Sequence, residues 1–395
     1  MNIQEKFDNK RILIWGFGRE GQSTKHFLSR CCTPACVDVF EGKRDGIDED
    51  AYDFIIKSPG IVMEEEHPKY TSQTEIFLEE HRDRVIGVTG TKGKSTTASM
   101  LRHVLGRCLN KKVILLGNIG EPCLDYFDEV DDETVVVFEM SCHQLAHTKV
   151  SPHVALFLNL YEEHLDYYKT FEKYFEAKTH VTAYQNADDF FFVGDNVPGI
   201  ATKARKTVIC FDETPAYELK VLGQHNAYNA DFVYTVATTV YGIDGESVRE
   251  ALKSFDGLAH RLQYIGEKEG ISFYDDSIST IPNATIRALE STPHAKTVLV
   301  GGMDRGICYD RLISYMREHD EYFYICSYDS GRRIYEEVSD LAYCKYVATL
   351  EEAVALAKEI TPRGMACILS PASASYGYFK NFEQRGEMFR QYAGL

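Results

Sequence analysis

The sequence has no apolar run long enough to span a membrane, and its start, Met-Asn-Ile-Gln-Glu-Lys, lacks the apolar core of a secretion signal. A soluble, cytoplasmic protein is therefore expected. Basic charge is scarce: 43 Lys and Arg stand against 60 Asp and Glu, a net charge of −17. That balance argues against nucleic acid or anionic membrane as the main partner. The 11 cysteines lack paired spacing, and Cys31, Cys32 and Cys36 do not make the two separated C-x-x-C knuckles of a zinc site. Buried reduced thiols are the better reading. His143 and His147 lack the glutamate of H-E-x-x-H between them, so they read as ordinary helix residues. No linker is of low complexity. At 395 residues the chain can hold two or three domains with buried cores.

What is present centres on Val85-Ile-Gly-Val-Thr-Gly-Thr-Lys-Gly-Lys-Ser-Thr-Thr97. An apolar strand, Val85 to Val88, enters a glycine-bracketed turn. A helix over 96–109 follows, with Met100, Leu101, Val104 and Leu105 on its apolar side. Strand, Gly-rich turn, Lys-Ser and helix make a phosphate-binding loop. The N–H groups of Gly90, Thr91, Lys92, Gly93 and Lys94 can wrap an anion where the helix dipole also favours negative charge. Lys94 would reach the terminal phosphates, and Ser95 or Thr96 would serve Mg²⁺. The common spacing G-x-x-x-x-G-K-[ST] wants glycine at 88, but Val88 is there and Gly87 sits one early.

Upstream, strand Arg11 to Trp15 enters Gly16-Phe17-Gly18-Arg-Glu-Gly21, with Asp38 or Glu41 about twenty residues on. This is the G-x-G-x-x-G pattern of a dinucleotide or diphosphate turn. Tight βα turns also use glycine for packing, so the pattern alone leaves both readings open. A third strand, Asp53 to Lys57, ends at Ser58-Pro59-Gly60, which could face the same crevice.

Beyond Val85, strands near 112–116, 134–138, 153–158, 189–194 and 207–211 alternate with helices, which implies a mainly parallel sheet covered by helices, with side chains for chemistry at the strands' carboxyl ends. Three ends stand out: Gly117-Asn118-Ile119-Gly120, Glu139-Met-Ser141-Cys-His-Gln144, and Asn159 to Asp166, which includes His164. A carboxylate directly after four apolar strand residues is where a nucleotide's Mg²⁺ would be held. His164 is either a metal ligand or a satisfied loop histidine. Lys178, on a helix over 171–184, reads as a solvated surface group. Asn226 and Asn229 share one helix face and could grip a base or phosphate, or simply cap and line it. From Gly257 a third unit brings His260-Arg261, a hairpin over 263–274 turning at Glu269-Gly270, Asp275-Asp276-Ser-Ile278-Ser-Thr280, and a second Rossmann-like sheet.

Together these stretches resemble the Mur ligases of peptidoglycan synthesis over essentially the whole chain. The motifs are Thr89–Thr96, Gly117–Gly120, Glu139-Met-Ser141, Asn159–Asp166, Ala177-Lys178, His225-Asn226-x-x-Asn229, His260-Arg261, Gly301-Gly302, and Leu369–Ser375 with Phe379-Lys-Asn-Phe382-Glu-Gln-Arg-Gly386. The last is the most specific to the glutamate-adding branch. The resemblance implies an α/β protein of three domains: an N-terminal Rossmann-like UDP-substrate domain over 1–83, a central P-loop ATPase-type domain with a mainly parallel sheet over 84–257, and a C-terminal Rossmann-like glutamate domain over 258–395.

The implied reaction is ATP-dependent. The carboxylate of UDP-N-acetylmuramoyl-L-alanine is phosphorylated to an acyl phosphate, which the amine of glutamate attacks to leave an amide, ADP and phosphate. Residue by residue, the resemblance puts Lys94 on the phosphates together with Gly90, Thr91, Lys92, Gly93, Asn226, Asn229, Arg261 and Asp276 at ATP. Ser95, Thr96 and Glu139 would hold one Mg²⁺; His164 and Lys178 would serve a second, Lys178 as its carbamate. Gly16, Phe17, Gly18, Gly21, Glu41, Ser58 and Gly60 would hold the uridine diphosphate portion, with Asn118, Ser141 and Gln144 toward muramoyl-alanine. Thr280, Arg305, Ser375 and Phe382 would surround glutamate. Small-molecule partners and a monomer are expected.

Two positions depart from the family's pattern. Where D-S-K-A-T is usual, this chain has Asp276-Ser-Ile278-Ser-Thr280, and Arg305 stands where lysine is common. The enantiomer of glutamate is thereby opened, with D-glutamate ahead of L-glutamate. Other readings are a sister ligase or a folylpolyglutamate-type ligase, and, from a different class, an NAD-dependent oxidoreductase built on Gly16–Gly21, which gives the second loop no role.

Overall fold

The computed structural model describes residues 3–63, 67–118, 121–221 and 223–395. Ile119 and Gly120 of the expected Gly117–Gly120 turn lie outside the described residues, as does the side chain of Asp166. The chain divides into two compact units: Met1–Leu219 with Gln224–Phe255, and Lys220–Gly223 with Asp256–Leu395.

The first unit holds two sheets. Strands β1 (Arg11–Trp15), β2 (Cys36–Phe40), β3 (Phe54–Lys57) and β4 (Tyr70–Thr71) pair in parallel, in the order β2-β1-β3-β4. Because β2 and β3 lie on opposite sides of β1, the chain reverses direction across the sheet at the carboxyl end of β1, where an open α/β sheet leaves its crevice. Helix Arg19–Cys31 is amphipathic, whereas the first six residues of helix Gln73–His81 are all buried. Phe27, Leu28, Ile76 and Phe77 pack beneath them into a core shared with Phe127, of the helical segment Cys123–Glu129, and Phe138 of the neighbouring sheet.

That neighbouring sheet has six parallel strands: β5 (Val85–Thr89), β6 (Lys112–Gly117), β7 (Thr134–Glu139), β8 (Val154–Phe157), β9 (Phe190–Gly194) and β10 (Arg205–Ile209), in the order β10-β9-β8-β5-β7-β6. β5, β7 and β8 are buried along their whole length, as continuous apolar runs in a sheet covered on both faces should be. The last strand, expected near 207–211, lies two residues earlier, at an edge with little burial to mark its register. Helix Lys94–Cys108 buries Met100, Leu101, Val104 and Leu105, as its periodicity predicts, but begins two residues sooner than expected. His143 lies in the short helix Cys142–Leu145, whereas His147 falls past its end, because the helix stops after one turn.

The second unit contains β11 (Gln263–Lys268), β12 (Ile271–Asp275), β13 (Ala295–Val300), β14 (Phe323–Ser327), β15 (Cys344–Val347) and β16 (Ala366–Leu369), in the order β11-β12-β16-β13-β14-β15. Only the β11–β12 hairpin is antiparallel; it turns at Glu269 and Gly270, both with positive φ. Two apolar clusters, one on each face, hold its helices to the sheet.

Candidate active site

β5 sits in the middle of its sheet, between β7 and β8. The following loop is therefore braced from the strand ends on either side. From the end of β8, Asn159 accepts from the Lys92 N–H at 2.9 Å, donates to the Lys92 carbonyl at 3.0 Å, and accepts from the Thr91 N–H through its own carbonyl at 2.9 Å. Asn159 carries no distinct role in the sequence reading; the available signal was a polar residue directly after a buried strand. Gly93 has φ +84°, and a Cβ there would come within 2.6 Å of Asn229 Oδ1. Only glycine suits that position. Asn229 in turn donates to Asn226 Oδ1 at 3.3 Å, so these two residues meet on one helix face against the loop, as their spacing suggests. Ser95 and Thr96 follow, half-buried, in the first turn of the helix.

Two lysines converge on one carbonyl. Lys94 Nζ donates to Gly90 O and Thr91 O, both at 3.0 Å, and Lys178 Nζ donates to Gly90 O at 2.8 Å. Lys178 is only 1 % exposed, so it is no solvated surface group; helix Phe171–Ala183 turns it inward, where its ammonium also lies 4.9 Å from the Tyr174 ring centre. Burial, and then the charge of Lys94, push its pKa down to about 7. Burial lowers Lys94 as well, with Glu139 acting the other way.

Glu139 closes β7 and is 0 % exposed. Its Oε1 accepts from Asn118 Nδ2 at 2.9 Å, while Oε2 is buried with no hydrogen-bond partner among the described residues. A buried carboxylate oxygen left unsatisfied is costly unless something positive meets it. Among the described residues no three His, Cys, Asp or Glu side chains converge on one point. A hard cation here would be held by Glu139, the hydroxyls of Ser95 and Thr96, and oxygens of phosphate and water, a donor set that suits Mg²⁺. His164 sits in the loop after β8 with φ +57°. Its ring lies against those of His143 and Tyr174, with centroids 5.0 and 6.1 Å apart, which brings it and Lys178 to the same tyrosine.

The other glycine turn also has the expected form. Gly16 has φ +92°, and a Cβ on Gly21 would lie 2.2 Å from the Gly16 carbonyl, so the third glycine serves close helix–strand packing. Phe17 is half-buried and Gly18 caps the helix. Glu41 is exposed just beyond β2, whereas Asp38 lies within the strand and accepts from Tyr52 Oη at 3.0 Å, which separates the two candidates. Ser58 Oγ donates to Gly16 O at 3.1 Å, bringing the Ser58–Gly60 turn against the glycines. Beneath that turn lies Lys57, which the sequence reading passed over as a strand end. It is buried, and burial lowers its pKa to about 8 against the opposing pull of Glu20. Ser141 and Gln144 form a capping box, and Gln144 Nε2 donates to Glu20 Oε1 at 3.0 Å, tying the central sheet to the first.

In the second unit, Asp276 follows β12 and is almost fully buried. It accepts from the Leu262 N–H at 3.1 Å, from Ser279 Oγ at 2.5 Å and from Ser370 Oγ at 2.7 Å. Burial raises its pKa to about 6, opposed by those hydroxyls and by exposed Arg261. Arg305 donates to the Thr280 carbonyl at 3.2 Å, so two of the four expected glutamate residues meet. Of the other two, Ser375 is buried in the loop after β16, and Phe382 opens the last helix, where its carbonyl accepts from Ser277 Oγ at 2.8 Å. Sequence reasoning gave no role to Arg385, 1 % exposed. It donates to Ser277 Oγ at 3.0 Å, Ser277 O at 2.7 Å and Ser373 O at 3.0 Å, joining the two loops that carry Thr280 and Ser375. His260 and Asp275 form a hydrogen-bonded pair at 2.7 Å.

A phosphate loop at the central switch point of a parallel sheet, with two inward lysines and a buried carboxylate, defines a nucleotide-binding α/β protein suited to phosphoryl transfer. Comparison with known proteins narrows the class. The family model described as the Mur ligase middle domain matches residues 88–214. The UDP-N-acetylmuramoylalanine–D-glutamate ligase of Streptococcus agalactiae serotype III is 32 % identical, covering 97 % of this chain and 96 % of the relative. The enzyme of the same name from Aquifex aeolicus is 30 % identical over 96 % and 98 %. Among solved structures, the MurF ligase of Thermotoga maritima in complex with ADP superposes with a TM-score of 0.58 at 16 % identity, covering 99 % of this chain and 96 % of that one, a likeness of fold. The chain belongs to the Mur ligase family.

Proposed function

We propose that the chain is an ATP-dependent amide ligase that adds D-glutamate to UDP-N-acetylmuramoyl-L-alanine in peptidoglycan precursor synthesis. One observation carries the reading: Lys94 and Lys178 meet at the Gly90 carbonyl in the sheet that also ends at Glu139, whose buried Oε2 has no partner among the described residues. Mur ligases use ATP, and near-full-length relatives are named for D-glutamate addition.

Phosphoryl transfer asks a protein mainly for positioning and charge neutralisation. Gly90 to Gly93 offer N–H groups to the phosphates, and Lys94 moves from the loop carbonyls onto the transferred group. Asn226, Asn229, Arg261 and Asp276 are the further residues proposed for ATP. Ser95, Thr96 and Glu139 would hold one Mg²⁺, which when bound neutralises phosphate charge. An ammonium cannot hold a cation. With a pKa near 7, however, Lys178 is an uncharged amine in a large fraction of molecules at neutral pH. Its nitrogen lone pair can then add to CO₂, forming a C–N bond and releasing a proton, and the resulting carbamate would join His164 at a second ion. Gly16, Phe17, Gly18, Gly21, Glu41, Ser58 and Gly60 take the uridine diphosphate; Asn118, Ser141 and Gln144 lie toward muramoyl-alanine. Thr280, Arg305, Ser375 and Phe382 receive glutamate, whose amine attacks the acyl phosphate. The domain limits at 83 and 257 are part of the same proposal.

The test is phosphate release with ATP, Mg²⁺ and UDP-N-acetylmuramoyl-L-alanine, offering D-glutamate, L-glutamate, lysine or diaminopimelate. Turnover with D-glutamate alone is expected. Turnover with L-glutamate alone would replace the enantiomer and point to Ile278. Silence with all four would overturn the ligase reading.

A further inference from the structure

The turn at residues 58–61 is held by its carbonyl groups. Lys57 Nζ donates to Ser58 O at 3.1 Å and Ile61 O at 2.9 Å. A second donor comes from elsewhere in the chain: Tyr167 Oη donates to Ile61 O at 3.0 Å, with Pro59 O at 3.5 Å. Tyr167 lies in the short helix Leu165–Tyr168 that follows β8. Its backbone N–H, and that of Tyr168, donate to the His164 carbonyl at 3.0 Å, closing one helical turn directly on His164. Its ring stands edge-on to His143 at 4.4 Å, and His143 in turn touches His164.

A short, rigid path thus runs from the sugar-nucleotide turn to the proposed cation ligand. It passes from the Ile61 carbonyl to the Tyr167 hydroxyl, then through one helical turn to His164, with the His143 ring bracing both. The Tyr167 ring also lies 4.7 Å from that of Tyr168, so Tyr167 has little freedom to move without moving His164. The partners of this hydroxyl are carbonyls of a turn that also touches the glycine loop, through Ser58 Oγ to Gly16 O.

Resting on the ligase reading above, we propose that Tyr167 is a positioning residue that couples occupation of the uridine-diphosphate turn to the placement of His164. The first substrate, by fixing the turn, fixes the loop that completes the nucleotide's cation site. Binding of the two ligands is then linked, and each tightens the other by the same factor.

The measurement is the affinity of the full chain for a non-hydrolysable ATP analogue with Mg²⁺, alone and with saturating UDP-N-acetylmuramoyl-L-alanine. The sugar nucleotide is expected to tighten analogue binding about three- to tenfold, the scale of one hydrogen bond. In Tyr167→Phe, which keeps the ring and loses the hydroxyl, that ratio should fall to within about twofold of one, while affinity for the analogue alone and the melting temperature hold. Tyr167→Gln, which restores a donor, should regain part of the ratio. A merely structural role would weaken each binary complex or lower the melting temperature without moving the ratio. Overturning results are an unchanged ratio in Tyr167→Phe, or a wild-type ratio of one with both ligands bound. A wild-type chain that binds no UDP-N-acetylmuramoyl-L-alanine would instead bring down the functional reading, and the proposal with it.

Discussion

Lys178 and Arg385 are both cations at 1 % exposure, one in each unit, and their surroundings differ in kind. Lys178 has a single carbonyl partner, which it shares with a second ammonium, and an aromatic ring. Arg385 has two carbonyls and a hydroxyl to itself, with the Asp275 carboxylate favouring its charge. Burial lowers both, Lys178 to about 7 and Arg385 only to about 10. The guanidinium therefore stays charged at neutral pH and works as a fixed bracket, while the amine is left able to give up its proton. A buried cation with one shared carbonyl partner is poised to react; one held by three acceptors beside a carboxylate is architecture, even though Arg385 Nη1 has no partner among the described residues.

The largest effect expected from breaking that contrast is on turnover. Lys178→Ala should reduce phosphate release by about 10²–10⁴-fold with circular dichroism unchanged, the range for losing a charged group from a reaction centre. Small carboxylic acids should restore part of it. Activity within tenfold of wild type would make Lys178 as structural as Arg385.

Arg385→Met should act on stability instead. It leaves Ser277 O and Ser373 O buried without their donor, at about 1–3 kcal/mol each, read as a lower urea midpoint for the second unit's transition. Arg385→Lys should recover less than half, because one ammonium cannot span three acceptors set for a planar fork.

The third effect is one of pH, in protein freed of CO₂. With a folded pKa near 7 and an unfolded value near 10.4 for lysine, the unfolded chain binds more protons between those limits. Stability should rise with pH across that window, by a few kcal/mol at most. Below pH 7 both states are protonated and the burial penalty is felt in full. Lys178→Met should flatten the slope in melting experiments at pH 7 to 10. The smallest effect belongs to Tyr174→Phe, which keeps the ring beside Lys178 and loses a hydroxyl contact to Thr91 at 3.1 Å. About 1 kcal/mol of stability and under threefold in turnover are expected.

The elements were legible because parallel strands buried on both faces announce themselves as unbroken apolar runs, as in Thr134–Phe138, and because Gly-x-x-Gly-Lys-Ser sits between such a strand and a periodic helix. The edge strand Arg205–Ile209, with polar residues and weak burial, slipped by two residues for the opposite reason. At the site, the sequence marks residues that punctuate strands, Glu139 and the glycines, and a pair spaced for one helix face, Asn226 and Asn229. It hides those whose importance comes from where a helix face turns. Lys178 looks like any helical lysine, Lys57 like a strand end, and Arg385 like a charge in a polar segment. Only tertiary packing shows that all three point inward. The hydroxyl of Tyr167 bridges residues 106 apart in the chain, which no local pattern can encode.

The central position of β5 has a bearing on how the protein is made. The strand that follows it in sequence, β6, pairs at the far edge of the sheet, and β5 itself is zipped between β7 and β8. A nascent chain that has emerged only as far as residue 150 carries the whole phosphate-loop sequence, yet has no β8 to lay beside it and no Asn159 to clamp Lys92. The loop is thus a late product of synthesis, waiting on contacts that span some 70 residues, and until they close β5 offers a bare apolar edge to other chains. Translation pauses or premature stops before Val154 should yield fragments that need chaperones rather than fragments that bind nucleotide.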